Sequence, residues 1–204
     1  MVEKMCGSTI RIPETVSVFN SPNNFKDTDL DPLTLVKGSH GSGMVFNIKP
    51  LTTVAQVISE LKRWNVIKDG IHPRFYTERK IEDTHASAMG EAYTYMVKCI
   101  YGKPFAIDVK YCGNCRSYTL DWKPLPLIIS NVLKDDIAIP TQLNIMLTAA
   151  ALLSSPFEFL RVDFYIGADV NVYFSEFDLC SNGGFMLYSV KQEQIFGKLW
   201  FRKI

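Results

Sequence analysis

The stretch FLRVDFYIGADVNVYFSEFDL, residues 159–179, constrains the fold more than any other part of the chain. Two runs rich in Phe, Tyr, Val and Ile flank Gly-Ala-Asp-Val, the pattern of two strands around a tight turn. Yet Arg161, Asp163, Glu176 and Asp178 stand among the apolar residues. Strand side chains alternate between faces, so Arg161 and Asp163 point the same way, and Glu176 and Asp178 share a face. Register decides whether those two faces are one. Pairing Ile166 with Asn171 around a four-residue loop sets Arg161 opposite Glu176, with Asp163 diagonal to it. All three acids and the arginine then lie on one side, together with Val172 and Phe174.

Carboxylates this close repel one another unless a cation lies between them. Hard divalent ions such as Mg²⁺ take oxygen ligands and leave positions for water and phosphate. The planar donor fork of arginine suits phosphate oxygens. The constellation reads as a metal–phosphate site. The same spacing also fits the solvated outer face of a hairpin, with Arg161 and Glu176 as a cross-strand ion pair. Val172 and Phe174 on the expected face weigh against that reading.

The remaining pattern sets the frame. The chain has 204 residues, enough for one domain or one domain with a small lobe. Its 22 basic and 21 acidic residues give no global field for nucleic acid or an anionic membrane. The first residues carry no apolar run of signal-peptide length, and IMLTAAALL is too short to cross a bilayer. The expected location is the cytoplasm, and five cysteines agree with a reducing compartment. Residues 1–32 read as an irregular N-terminal segment rich in Asn, Asp and Pro. Strands are expected at 33–37 and 44–48. A helix follows Thr53, which with Gln56 makes a capping box ahead of Val54, Val57, Ile58 and Leu61. Residues 65–92 are polar and mixed. YTYMVKCI, the turn YGKP and FAIDV predict a hairpin. Residues 112–136 read as irregular, and Pro140 is placed in the first turn of a helix. Strands, hairpins and helices in this order predict an α+β fold around largely antiparallel sheets.

A second feature is LVKGSHGSGM, residues 35–44. A strand ends at Lys37 and enters a loop with Gly38, Gly41 and Gly43. Glycines let backbone N–H groups approach phosphate oxygens. This is not a Walker A motif, because no lysine follows the glycines before a helix. Taken alone it equally fits a Gly/Ser hairpin turn, and His40 equally fits a solvent-facing loop residue.

Together with R-x-D and E-x-D, the glycine loop resembles the ATP-grasp superfamily, and in particular its TupA-like family. The residues that carry the resemblance are LVKGSHGSG (35–43), YMVKCIYGKP (95–104), LDWKPLPL (120–127), FEFLRVDFY (157–165), VYFSEFDLCSNGG (172–184) and GKLW (197–200). The resemblance implies two lobes with largely antiparallel sheets enclosing ATP: a lid-like lobe over about 33–90 and a catalytic core beyond it. It implies that Lys37, Ser39, His40, Gly41, Ser42, Gly43 and Glu82 contact the nucleotide. Arg161 would approach the γ-phosphate, while Asp163, Glu176 and Asp178 would hold Mg²⁺. The implied activity is carboxylate–amine ligation through an acyl phosphate, on a small molecule or a precursor of a cell-surface polymer. The alternatives are a non-catalytic nucleotide-binding module and an ATP-grasp phosphotransferase. Three departures stand out. Asp178 occupies the position of a common Asn. Thr94 and Met96 stand where an acid and a lysine are expected. Only 36 residues precede Lys37, which suggests a minimal, truncated or degenerate member.

Cys112 and Cys115 form C-x-x-C, but no second paired spacing completes a zinc site, and the pattern fits a Gly-Asn turn flanked by thiols. Trp64, Trp122 and Trp200 are expected in cores or grooves, since no basic stripe accompanies them.

Overall fold

The computed structural model describes residues 1–41, 43–66, 70–83, 92–129, 131–134, 136–184 and 188–201. The chain divides into two compact units, Pro13–Lys80 and Met1–Ile12 with Ile81–Ile204.

The unit Pro13–Lys80 holds β1 (Thr15–Phe19), β2 (Thr34–Gly38), β3 (Val45–Asn47), α2 (Val54–Trp64) and β4 (Phe75–Arg79). Its antiparallel sheet runs β1-β4-β2-β3. The Thr53 hydroxyl accepts the Gln56 N–H, and the Gln56 side chain accepts the Thr53 N–H at 2.9 Å, so the expected capping box starts α2. Val57, Leu61 and Trp64 of α2 then pack on Phe19, Val36 and Phe75. Two strands here escape a sequence reading. β1 lies in the stretch expected to be irregular, and β4, a central strand, lies in the polar stretch 65–92. Only alternate residues of β4, Phe75 and Thr77, are buried, so its apolar signal is short.

The larger unit holds α1 (Val2–Cys6), β5 (Thr94–Ile100), β6 (Lys103–Tyr111), β7 (Asn114–Tyr118), β8 (Pro124–Leu125), α3 (Leu143–Ser154), β9 (Phe159–Ile166), β10 (Val172–Asp178) and α4 (Val190–Gly197). Its sheet runs β10-β9-β5-β6-β7-β8, antiparallel throughout. β5 and β6 form the expected hairpin, turning at Tyr101 and Gly102 with φ of 48° and 73°. A Cβ at Gly102 would lie 3.1 Å from the Ser155 Cα, so close backbone approach as well as φ requires glycine there. β7 and β8 lie where the sequence reads as irregular. The β6–β7 turn is Cys112-Gly113, both at positive φ, not Gly-Asn. α3 begins at Leu143, and Pro140 precedes it, its carbonyl accepting the Leu143 N–H at 3.1 Å.

Tyr95, Val97 and Cys99 of β5, Ile107 and Val109 of β6, and Leu160, Val162 and Phe164 of β9 face α3 in one apolar core. The alternate residues of the same strands therefore face away from α3. That second face carries the charged residues.

Candidate functional site

The β9–β10 hairpin differs from the expected register in two places. Ile166 pairs with Val172, not Asn171, because the turn is longer. The Gly167 N–H bonds the Asn171 carbonyl at 2.9 Å, and Val170 adopts φ 58°. A bulge then falls between Phe174 and Glu176. The extra residue reverses the facing of everything beyond it. Val172 and Phe174 turn to the α3 core, so they do not share the face of the acids as expected. Glu176 and Asp178 turn to the other face, opposite Asp163 and Arg161 respectively. The four charged residues meet on one face, but Arg161 stands opposite Asp178 rather than Glu176.

Arg161 is the centre of this group. Its Nε and Nη2 donate to the two oxygens of Asp163 at 2.8 and 2.7 Å, a bidentate fork. Nη2 also reaches Glu176 Oε1 at 3.3 Å, and Nη1 lies 2.6 Å from Asp178 Oδ2. Asp178 is steadied by the Cys180 N–H, which donates to Oδ1 at 2.8 Å. The side chains grade from buried to open: Asp163 is 2% exposed, Asp178 25% and Glu176 64%. Burial pushes the Asp163 carboxyl up to about 7, against the pull of Arg161 and with further push from Glu176 and Asp178. Burial also works against the Arg161 charge, yet its three acidic neighbours hold the guanidinium above its usual range.

Among the described residues no three His, Cys, Asp or Glu side chains are arranged to hold a metal ion. The positive charge that Asp163, Glu176 and Asp178 share is that of Arg161 itself. Three carboxylates converging from two strands are the oxygen donors that a hard divalent ion takes.

The glycine loop belongs to the other unit. Lys37 Nζ lies 2.5 Å from Glu78 Oε1, with both side chains 12% exposed. The Ser39 N–H bonds the Arg74 carbonyl at 2.9 Å, and the Gly38 N–H bonds the Met44 carbonyl at 3.0 Å. His40 is not a solvent-facing loop residue. It is 7% exposed, its Nε2 lies 2.7 Å from the Trp64 carbonyl, and its ring meets Phe75 edge-on. Its Nδ1 is buried and unbonded among the described residues. Met44 covers Gly41, where a Cβ would stand 2.7 Å from the Met44 Cε. Gly43 has φ 73°. Ser42 lies outside the described residues. Glu82 joins the larger unit, where its carbonyl accepts the Ala168 N–H from the β9–β10 turn.

A further group on the charged face has no counterpart in the sequence reading. Lys98 Nζ lies 2.5 Å from Asp108 Oδ2 and donates to the Tyr188 hydroxyl at 2.9 Å. Ser117 Oγ and Tyr188 OH donate to Asp108 Oδ1 at 2.6 and 2.7 Å. The available signal was one charge in each apolar run of a predicted hairpin, YMVKCI and FAIDV.

The two sheets, few helices and connectivity define an ATP-grasp fold, an α+β architecture. The chain belongs to the TupA-like ATPgrasp family, whose profile matches residues 1–199. Among solved structures it resembles the L-amino acid ligase from Bacillus licheniformis, at TM-score 0.55 and 13% identity over 90% of this chain and 42% of that one. It also resembles the D-alanine–D-alanine ligase from Bacillus anthracis, at TM-score 0.52 and 14% identity over 96% of this chain and 59% of that one. The chain thus spans about half the length of these structures. No curated protein matches the sequence significantly. Among the described residues no helix is long and apolar enough to cross a membrane.

Proposed function

We propose that the chain is an ATP- and Mg²⁺-dependent carboxylate–amine ligase that works through an acyl phosphate. The observation that carries this reading is the convergence of Asp163, Glu176 and Asp178 on Arg161. Family membership supports the nucleotide, and the two solved structures it resembles are by name an L-amino acid ligase and a D-alanine–D-alanine ligase. The acceptor is a small molecule or a cell-surface polymer precursor, and the reaction takes place in the cytoplasm, where ATP is supplied.

Asp163, Glu176 and Asp178 would hold the metal, which would supply neutralisation of phosphate charge. Arg161 then turns its donor fork from the carboxylates to the γ-phosphate and stabilises charge as the phosphoryl group moves. The substrate carboxylate attacks the γ-phosphorus, ADP leaves, and an amine displaces phosphate from the acyl phosphate. Within the smaller unit, Lys37, Ser39, His40, Gly41, Ser42 and Gly43 are the proposed nucleotide contacts; within the larger unit, Glu82 is proposed as another. A second reading, a nucleotide-binding module without turnover, draws on the three ion pairs that already occupy Arg161. Calorimetric titration with ATP, with and without Mg²⁺, tests the site before any substrate is identified. Binding that requires Mg²⁺ and is lost in Asp163→Asn supports it; Mg²⁺-independent binding, or none, overturns it. Product analysis then separates amide with ADP from phosphoester with ADP or no turnover.

A further inference from the structure

We propose that Lys98 is a second cation of the phosphate site, acting beside Arg161. This rests on the nucleotide reading above. Lys98 of β5 and Arg161 of β9 are direct cross-strand partners, so their side chains leave the same face of the sheet side by side. Both are largely buried, with side-chain exposures of 4% and 12%. Like charges placed directly opposite across a sheet repel, and burial strengthens the repulsion. The acids that answer them lie largely to either side. Asp108 serves Lys98 from β6, and Asp178 serves Arg161 from β10. One level along, Met96 separates Asp108 from Asp163, pairing with each. The middle of the face therefore carries two adjacent cations, each paired with acids, and a phosphate group that reaches one lies within reach of the other.

The partners of Lys98 allow it to take part. Asp108 Oδ1 already accepts from Ser117 and Tyr188, and Lys98 bonds the other oxygen. When Lys98 turns toward a phosphate oxygen, the carboxylate keeps two hydrogen bonds, and the ammonium stays on the same face as a nearby charge. The four-carbon stem of lysine permits that turn, and its compact ammonium suits a phosphate oxygen as a point charge. A purely structural ion pair is the competing account. Buried pairs of that kind are often replaced by apolar residues without loss of stability.

The two accounts separate in the full chain by calorimetry with Mg-ATP, Mg-ADP and adenosine, with thermal melting alongside. Lys98→Met alone strands a buried acid, so the informative variant is Lys98→Met/Asp108→Asn, read against Asp108→Asn. The double variant should melt no lower than Asp108→Asn yet bind Mg-ATP about 10- to 100-fold more weakly, the usual range for a lost hydrogen bond to a charged group. Asp108→Asn, which keeps the ammonium, should lose much less, and adenosine affinity should hardly change. Equal Mg-ATP affinity in the double variant and the wild type overturns the role of Lys98 and leaves the nucleotide reading intact. A wild-type chain that binds no Mg-ATP overturns both.

Discussion

Replacing Arg161 by Ala tests whether its positive charge stands where a divalent cation can stand. Arg161 makes a bidentate pair with Asp163, whose side chain is 2% exposed. Removing one member of a buried pair leaves an uncompensated charge and costs about 3–5 kcal/mol. The longer contact to Glu176, 64% exposed, adds under about 1 kcal/mol. For a chain of this size the loss lowers Tm by about 6–20 °C. Burial pushes Asp163 up to about 7 against the pull of Arg161, so without Arg161 its carboxyl rises further, and at pH 8 Mg²⁺ binding must also displace its proton. Added Mg²⁺ should then return part of the loss, because it supplies the charge that three carboxylates lack. At about 10 mM ion and a Kd of about 1 mM, binding linkage returns about 1.4 kcal/mol, or about 3–6 °C. The wild type should gain less, because the ion must displace Arg161. Scanning calorimetry with Mg²⁺, and with NaCl at matched ionic strength, reads both effects. A variant that melts within about 2 °C of wild type, or that ignores Mg²⁺, refutes the idea that these acids share one cation site.

Glu176→Gln, at an exposed and longer contact, should cost less than about 1 kcal/mol in denaturant titrations yet weaken Mg-ATP binding several-fold by calorimetry. His40→Ala removes the bond to the Trp64 carbonyl and the edge contact with Phe75, so it should cost about 1–3 kcal/mol and speed hydrogen exchange at Ser39 and Gly41. Burial pushes the Cys99 and Cys115 thiols up to about 11 and about 12. Both should resist alkylation at pH 8 while exposed Cys180 reacts, as mass spectrometry reads directly. Because their folded values lie above the unfolded one, the folded state keeps protons that the unfolded state has lost. Stability should therefore fall as pH rises from about 9 toward 12, by up to about 1.4 kcal/mol per unit for each thiol, and Cys115→Ala should flatten that slope.

Sequence alone determined the features that local chemistry writes. The aromatic, β-branched runs fixed β9 and β10 as strands, the Thr53–Gln56 box fixed the start of α2, and Tyr101-Gly102 fixed the β5–β6 turn. The period of two also paired Arg161 with Asp163 and Glu176 with Asp178, since alternation needs no partner strand. What joined those pairs was tertiary. A longer turn and a bulge at Ser175 gave the register, and a register that buries Val172 and Phe174 against α3 leaves Glu176 and Asp178 facing Arg161. β4 was hidden because a half-buried strand of mixed residues draws its stability from neighbours on both sides. His40 reads as a loop residue until α2 brings the Trp64 carbonyl to it. Lys98 meets Asp108 across one hairpin, but Tyr188 arrives from far along the chain. Periodicity and capping are encoded within a few residues, whereas burial, register and the partners of a buried charge are properties of the packed whole.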